Sequence, residues 1–151
     1  MNDTLYIVVP CYNEEEVLPE TSKRLKAKVE ALKGAGKIGP DSRILFVNDG
    51  SRDRTWEMIS DLHKADPVFS GVNLSRNRGH QNALLAGLMT AKDRCDMAIS
   101  MDADLQDNID AVDAMVDKFH PRSNWAARFK RIIRINSIGV LPVIANNFLY
   151  K

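Results

Sequence analysis

Cysteine is scarce in this 151-residue sequence: Cys11 and Cys95 are the only two, and they lie too far apart to form a metal-ligand pair. That excludes a disulfide framework and a cysteine-based zinc site. With no signal-peptide pattern at the N-terminus, the expected setting is the reducing cytoplasm. Charge of one sign is also missing. Lys and Arg number 21 against 20 Asp and Glu, a formal +1, so nothing marks a strongly basic nucleic-acid binder or an acidic disordered tail. There is no internal repeat and no low-complexity tract. No Gly-x-Gly-x-x-Gly follows the first apolar run and no Gly-Lys-Ser/Thr occurs, which disfavours dinucleotide-binding and P-loop sites. The apolar residues from Ile132 to Ile144 are interrupted by Arg134, Asn136 and Pro142, so they do not read as a membrane-spanning helix.

What remains is a chain that is 44% hydrophobic, of a length for one domain and one respectable core. Up to about Phe119 it alternates short apolar, β-branched runs with amphipathic segments, the pattern of an α/β fold. Leu5 to Val9 reads as a buried central strand ended by Pro10. Asn13 is expected to cap a helix whose first turn carries Glu14, Glu15 and Glu16, with Val17, Leu18, Leu25, Val29 and Leu32 buried and Gly34 and Gly36 stopping it. The lysines from Lys23 to Lys33 read as a solvated face, with anionic lipid as the other reading. Ile44 to Val47 forms a second strand, and Ser51 or Asp53 caps a helix that buries Trp56, Ile59 and Leu62. Gly71 to Leu74 is a third strand, followed by a helix with Leu84, Leu85, Leu88 and Met89 on one face. Met97 to Met101 is a fourth, and a last helix from about Asn108 to Phe119 buries Ile109, Val112, Met115, Val116 and Phe119.

Polar residues gather where these strands end. Residues i and i+2 of an extended segment face the same side, so Asp102 and Asp104 can address one divalent cation whose other positions are filled by phosphate and water. Tyr12 and Asp49 end neighbouring strands, and ligands of open parallel sheets bind at such ends. Tyr12 reads either as a ring lying against a base or as a half-buried aromatic, and Asp49 either as an acceptor for a base N–H or as the turn residue before Gly50. Glu14 divides between a ligand contact and a first-turn acid. Cys11 reads as a small packing residue, and His80 as a surface or helix-start side chain.

Four segments in order then carry a resemblance: Val8-Val9-Pro10-Cys11-Tyr12-Asn13-Glu14-Glu15, Val47-Asn48-Asp49-Gly50-Ser51-Arg52-Asp53, Asn77-Arg78-Gly79-His80-Gln81-Asn82-Ala83-Leu84-Leu85-Ala86-Gly87-Leu88 and Met101-Asp102-Ala103-Asp104-Leu105-Gln106-Asp107. The sequence resembles the family 2 glycosyltransferases, and within them the dolichol-phosphate mannose synthase and bactoprenol glucosyltransferase group. The resemblance implies a GT-A-type, Rossmann-like αβα sandwich with a mainly parallel sheet. It also implies a UDP- or GDP-sugar donor, Mg²⁺ or Mn²⁺, and a polyprenyl phosphate acceptor at the cytoplasmic face of a membrane. It assigns Pro10, Tyr12, Glu14 and Asp49 to the nucleoside and Asp102, Asp104 and Gln106 to the metal and diphosphate, and it brings His80 and Gln81, at the start of the third helix, within reach of the donor's phosphates or sugar. The carboxylate that the family places beyond Phe119 as catalytic base is not recognised in this sequence.

The resemblance ends near Phe119. The expected organisation is therefore a nucleotide-sugar-binding domain over residues 1–119 and a divergent or truncated tail over residues 120–151. In that tail no further strand is recognised, and its apolar residues are expected to promote association or membrane contact. The function expected is metal-dependent sugar transfer to an acceptor; the alternative is a noncatalytic nucleotide-sugar-binding remnant.

Overall fold

The computed structural model describes residues 3–104, 108–119, 131–136 and 139–141. Its elements run β1 (Leu5–Cys11), α1 (Leu18–Gly34), β2 (Arg43–Asn48), α2 (Thr55–Ala65), β3 (Phe69–Asn73), α3 (His80–Ala91), β4 (Met97–Ser100), α4 (Ala111–Phe119), β5 (Arg131–Asn136) and β6 (Gly139–Leu141). They build one six-stranded sheet in the order β3-β2-β1-β4-β5-β6. All neighbours are parallel except β5 and β6.

Helices on both faces explain why β1 is an unbroken apolar run rather than an alternating one: all seven of its residues are buried. On one face, Leu5, Ile7 and Val9 pack with Leu18, Leu25 and Val29 of α1, Ile59 of α2, and Val112 and Val116 of α4. On the other, Tyr6, Val8, Leu45 and Val47 pack with Ala83, Leu84 and Ala91 of α3. This is the three-layered α/β arrangement expected.

Four expectations need correction. First, α1 begins at Leu18, with Pro19 in its first turn, rather than at Asn13. Asn13 takes a left-handed conformation, φ 54°, and its bonds run to another loop: its N–H donates to Ser51 Oγ and its Oδ1 accepts from the Arg52 N–H. Ser51 thus ties two loops together, while Asp53 accepts from the Thr55 N–H at the entrance to α2.

Second, α3 turns a different face to the sheet. Gly87 sits directly over the strands, where a Cβ would lie 2.4 Å from Val8 Cγ1 and 2.7 Å from Val47 Cγ2. The buried positions are Ala83, Leu84, Gly87 and Ala91, and Leu85 and Met89 are 52% and 59% exposed. Small residues let this helix approach closely, and Leu84 is buried beside them while Leu85 and Met89 face outward.

Third, the lysine face of α1, on which Lys23 and Lys26 are exposed, also carries braces. Lys26 pairs with Asp66, and Lys28 reaches both Asp110 and Asp113 before and in α4. Fourth, the tail does extend the sheet, through β5 beside β4 and β6 beside β5. Ile132-Ile133-Arg134-Ile135 was the available signal, a short β-branched run of strand type. The residues from His120 to Lys130, including Trp125 and Arg128, lie outside the described residues, as do residues 142–151.

Candidate functional site

The chain's direction of travel across the sheet reverses at β1: β2 and β3 lie to one side, β4 and β5 to the other. Loops leaving β1 and β4 therefore part from each other, and such a switch point opens a crevice at the carboxyl ends of the strands. Two adjoining concavities occupy it, of about 170 and 340 Å³.

The first is lined by Pro10, Tyr12, Glu14 and Asp49 together with Asn77 and His80. The second is lined by Pro10, Glu14, His80, Asp102, Ala103 and Asp104. Six of the seven residues expected from the sequence thus come together, four in the first concavity and four in the second, with Pro10 and Glu14 common to both. Gln106 lies outside the described residues.

A lattice of loop contacts holds the walls in place. The segment after β1 is stitched to the start of α2 and the residues just before it: the Glu14 N–H donates to Thr55 Oγ1 at 2.8 Å and the Glu15 N–H to Asp53 Oδ2 at 3.2 Å, while Glu15 Oε2 accepts from the Arg54 N–H. Tyr12, 41% exposed, is left at the rim with its ring accessible. Thr21 Oγ1 of α1 donates to the Ala103 carbonyl at 2.5 Å, fixing the backbone between the two aspartates. Asp102 and Asp104 are exposed on either side of buried Ala103, beyond the end of β4 and with Ala103 and Asp104 in a turn rather than in an extended strand.

Asp49 has a role that its sequence context did not disclose. Its carboxylate is buried, 2% exposed, with Oδ1 accepting the Arg78 N–H at 2.6 Å and Oδ2 the Gly79 N–H at 3.0 Å. It therefore anchors the loop between β3 and α3. Gly50 makes that loop's passage possible: at φ 64° a Cβ there would stand 2.4 Å from the backbone of Arg76 and Asn77. Asn77 and Gly79 also line the first concavity but were not expected as site residues; their signal was membership of the Asn77 to Leu88 segment.

Electrostatically the crevice is short of positive charge. Burial raises the Glu14 pKa above the usual carboxylate value, and the carboxylates of Asp104, Asp53 and Asp102 push it further the same way. Burial likewise pushes the Cys11 thiol well up, so Cys11 stays protonated and acts as packing. Opposite the acids stands His80, whose Nε2 is 3.6 Å from Asp102 Oδ1. Among the described residues no three acidic, histidine or cysteine side chains are gathered closely enough to hold a metal ion by themselves. Also among them, no helix is long and apolar enough to cross a membrane.

Comparison with known proteins adds to this geometry. The family described as "Glycosyl transferase family 2" matches residues 6–139, a span that runs past Phe119 into β6. An uncharacterized glycosyltransferase of Bacillus subtilis, YkoT, is 51% identical over 116 residues, which are 77% of this chain and 34% of that protein. A prophage bactoprenol glucosyl transferase homolog of Escherichia coli is 37% identical over 113 residues, 75% of this chain and 34% of its own. This chain thus spans about a third of the length of these relatives. Among solved structures, S. aureus TarS 1-349 in complex with UDP is similar with a TM-score of 0.56 and 20% identity, over 78% of this chain and 33% of that one. This likeness shows the GT-A fold.

Proposed function

The chain belongs to glycosyl transferase family 2, and from that premise we propose that it forms the donor-binding part of a glycosyltransferase that takes a sugar from a nucleoside diphosphate and passes it to a polyprenyl phosphate. The observation that carries this is the meeting of Pro10, Tyr12, Glu14 and Asp49 with Asp102 and Asp104 in two joined concavities at the switch point. The smaller takes the nucleoside, with Tyr12 against the base. The larger takes the diphosphate and sugar.

The donor set fits a divalent cation such as Mg²⁺ or Mn²⁺. Asp102 and Asp104 offer hard carboxylate oxygens on one side of an open hollow, and Mg²⁺ is commonly held by one or two carboxylates with phosphates and water completing its shell. Burial is the first cause of the raised Glu14 pKa, and the neighbouring carboxylates of Asp104, Asp53 and Asp102 add to it, a negative charge that a cation would offset. Asp102 and Asp104 would hold it, with Gln106 following in the same segment. When bound, the cation supplies Lewis-acid stabilisation of the departing diphosphate. The fixed loops around Asp49 and Ala103 orient the donor.

A polyprenyl phosphate acceptor is supported by the relatives named as bactoprenol glucosyl transferases, at 36–37% identity. A phosphate acceptor is already ionised near neutral pH, which lowers the need for a strong general base. A lipid acceptor also places the reaction at a membrane surface.

Titrating UDP-glucose, GDP-mannose, UDP and GDP into the protein, with Mg²⁺ and with excess chelator, tests the reading. Binding of one donor and its nucleotide that requires the cation is expected. Equal affinity in Mg²⁺ and chelator refutes the cation, and no binding of any of the four refutes the donor site.

A further inference from the structure

The two concavities share three lining residues: Pro10, Glu14 and His80. A diphosphate that joins a nucleoside in the first hollow to a sugar in the second has to pass this shared wall. Proline has no N–H to offer, and the Glu14 carboxylate is an acceptor that repels an anion. His80 alone of the three can donate a hydrogen bond there. It is also the one Lys, Arg or His side chain lining either hollow among the described residues, against the carboxylates of Glu14, Asp49, Asp102 and Asp104.

Its position suits the task. His80 opens α3, immediately after the Gly79 N–H that Asp49 holds, so the anchoring of that loop fixes where the ring stands. Nε2 lies 3.6 Å from Asp102 Oδ1, longer than a hydrogen bond, so its N–H is not committed to that carboxylate. A phosphate oxygen reaching the hollow beside Asp102 competes for it.

We propose that His80 contacts the donor's diphosphate directly, donating an N–H to a phosphate oxygen at the junction of the two hollows. The proposal rests on the nucleoside-diphosphate donor reading above. Its distinguishing consequence is that His80 matters to ligands carrying the diphosphate and not to the nucleoside alone.

The test uses the whole chain as wild type, His80→Ala and His80→Gln, the last keeping an N–H near the place of Nε2. UDP and GDP are titrated calorimetrically in Mg²⁺, uridine and guanosine by ligand-observed NMR, and Mn²⁺ alone by its paramagnetic signal. Loss of a hydrogen bond between an N–H and an anion predicts roughly tenfold to a hundredfold weaker diphosphate binding in His80→Ala. Nucleoside and Mn²⁺ affinities are expected to stay at wild-type values, and His80→Gln to recover most of the loss. Unchanged diphosphate affinity in His80→Ala, with wild type binding normally, overturns the contact but leaves the donor site standing. An equal loss for nucleoside and diphosphate also overturns it, by showing a structural effect, and so does a matching loss of Mn²⁺ affinity, by showing action through Asp102. Failure of the wild type to bind either diphosphate overturns the donor reading and this proposal together.

Discussion

Asp49→Asn replaces one acceptor by a donor at a point where two backbone N–H groups need an oxygen each. In the native loop, Oδ1 takes the Arg78 N–H at 2.6 Å and Oδ2 the Gly79 N–H at 3.0 Å. A carboxamide keeps one oxygen and turns its NH₂ toward the other N–H. The oxygen will face Arg78, because the Gly79 N–H has a second acceptor in Asn77 Oδ1 at 3.1 Å. The bond lost involves a charged acceptor and is worth about 1.5–3 kcal/mol, and a donor left facing a donor adds up to about 1 kcal/mol once the Asn77 contact is allowed for. The expected destabilisation is therefore about 1.5–4 kcal/mol, a large share of the roughly 5–15 kcal/mol of a typical domain, and urea unfolding reads it directly. The same loop carries Asn77 and His80 into the crevice, so UDP and GDP affinities should fall together. A stability loss below about 1 kcal/mol would refute the anchoring argument. A fall confined to one nucleotide would show instead that Asp49 reads the base.

Four further outcomes follow from the same structure. Asp104→Asn should weaken UDP or GDP binding in Mg²⁺ and leave it unchanged in chelator, since one carboxylate ligand is lost; calorimetry in the two buffers checks this. Gly87→Ala should destabilise by up to about 2 kcal/mol, because overpacking against Val8 and Val47 costs about 1–3 kcal/mol and roughly 1 kcal/mol of it is returned in helix propensity. Leu85→Ala, two residues away on the exposed face, should shift the unfolding midpoint little. For Asp53, burial raises the pKa, but hydrogen bonds from the Thr55 hydroxyl and the Thr55 and Glu15 N–H groups outweigh it and leave the carboxyl below its usual value. A depressed folded-state pKa contributes stability that is present above the unfolded value of about 4 and lost as pH falls through the folded one. Asp53→Asn should therefore be less stable than wild type at neutral pH, with the gap closing in acid, as thermal melts over a pH series would show.

The sequence by itself determined the features whose cause is local. A β-branched apolar run such as Leu5 to Val9 has few ways to be satisfied except as a buried strand, and the three-and-four spacing of Val112, Met115 and Val116 marks the buried stripe of α4 wherever that helix packs. The placing of Pro10, Tyr12, Asp49, Asp102 and Asp104 at one edge followed as well, because parallel strands joined by crossovers all end on the same side. Only the tertiary structure decided the partners. Asn13 is bound by residues 38 and 39 positions away, so the local cap signal lost to a loop contact and α1 started later. In α3 the apolar residues cover more than one face, and the close fit of Gly87 over Val8 and Val47 chose which of them to bury. Asp49 read as a base acceptor or a turn residue, and its anchoring of the next loop was invisible because its two donors stand 29 and 30 residues further on. β5 found its place through pairing with β4, an interaction invisible in a tail read alone. Periodicity records what a segment must bury, whereas crossover connections bring distant loops together, and the contacts made there belong to no segment by itself.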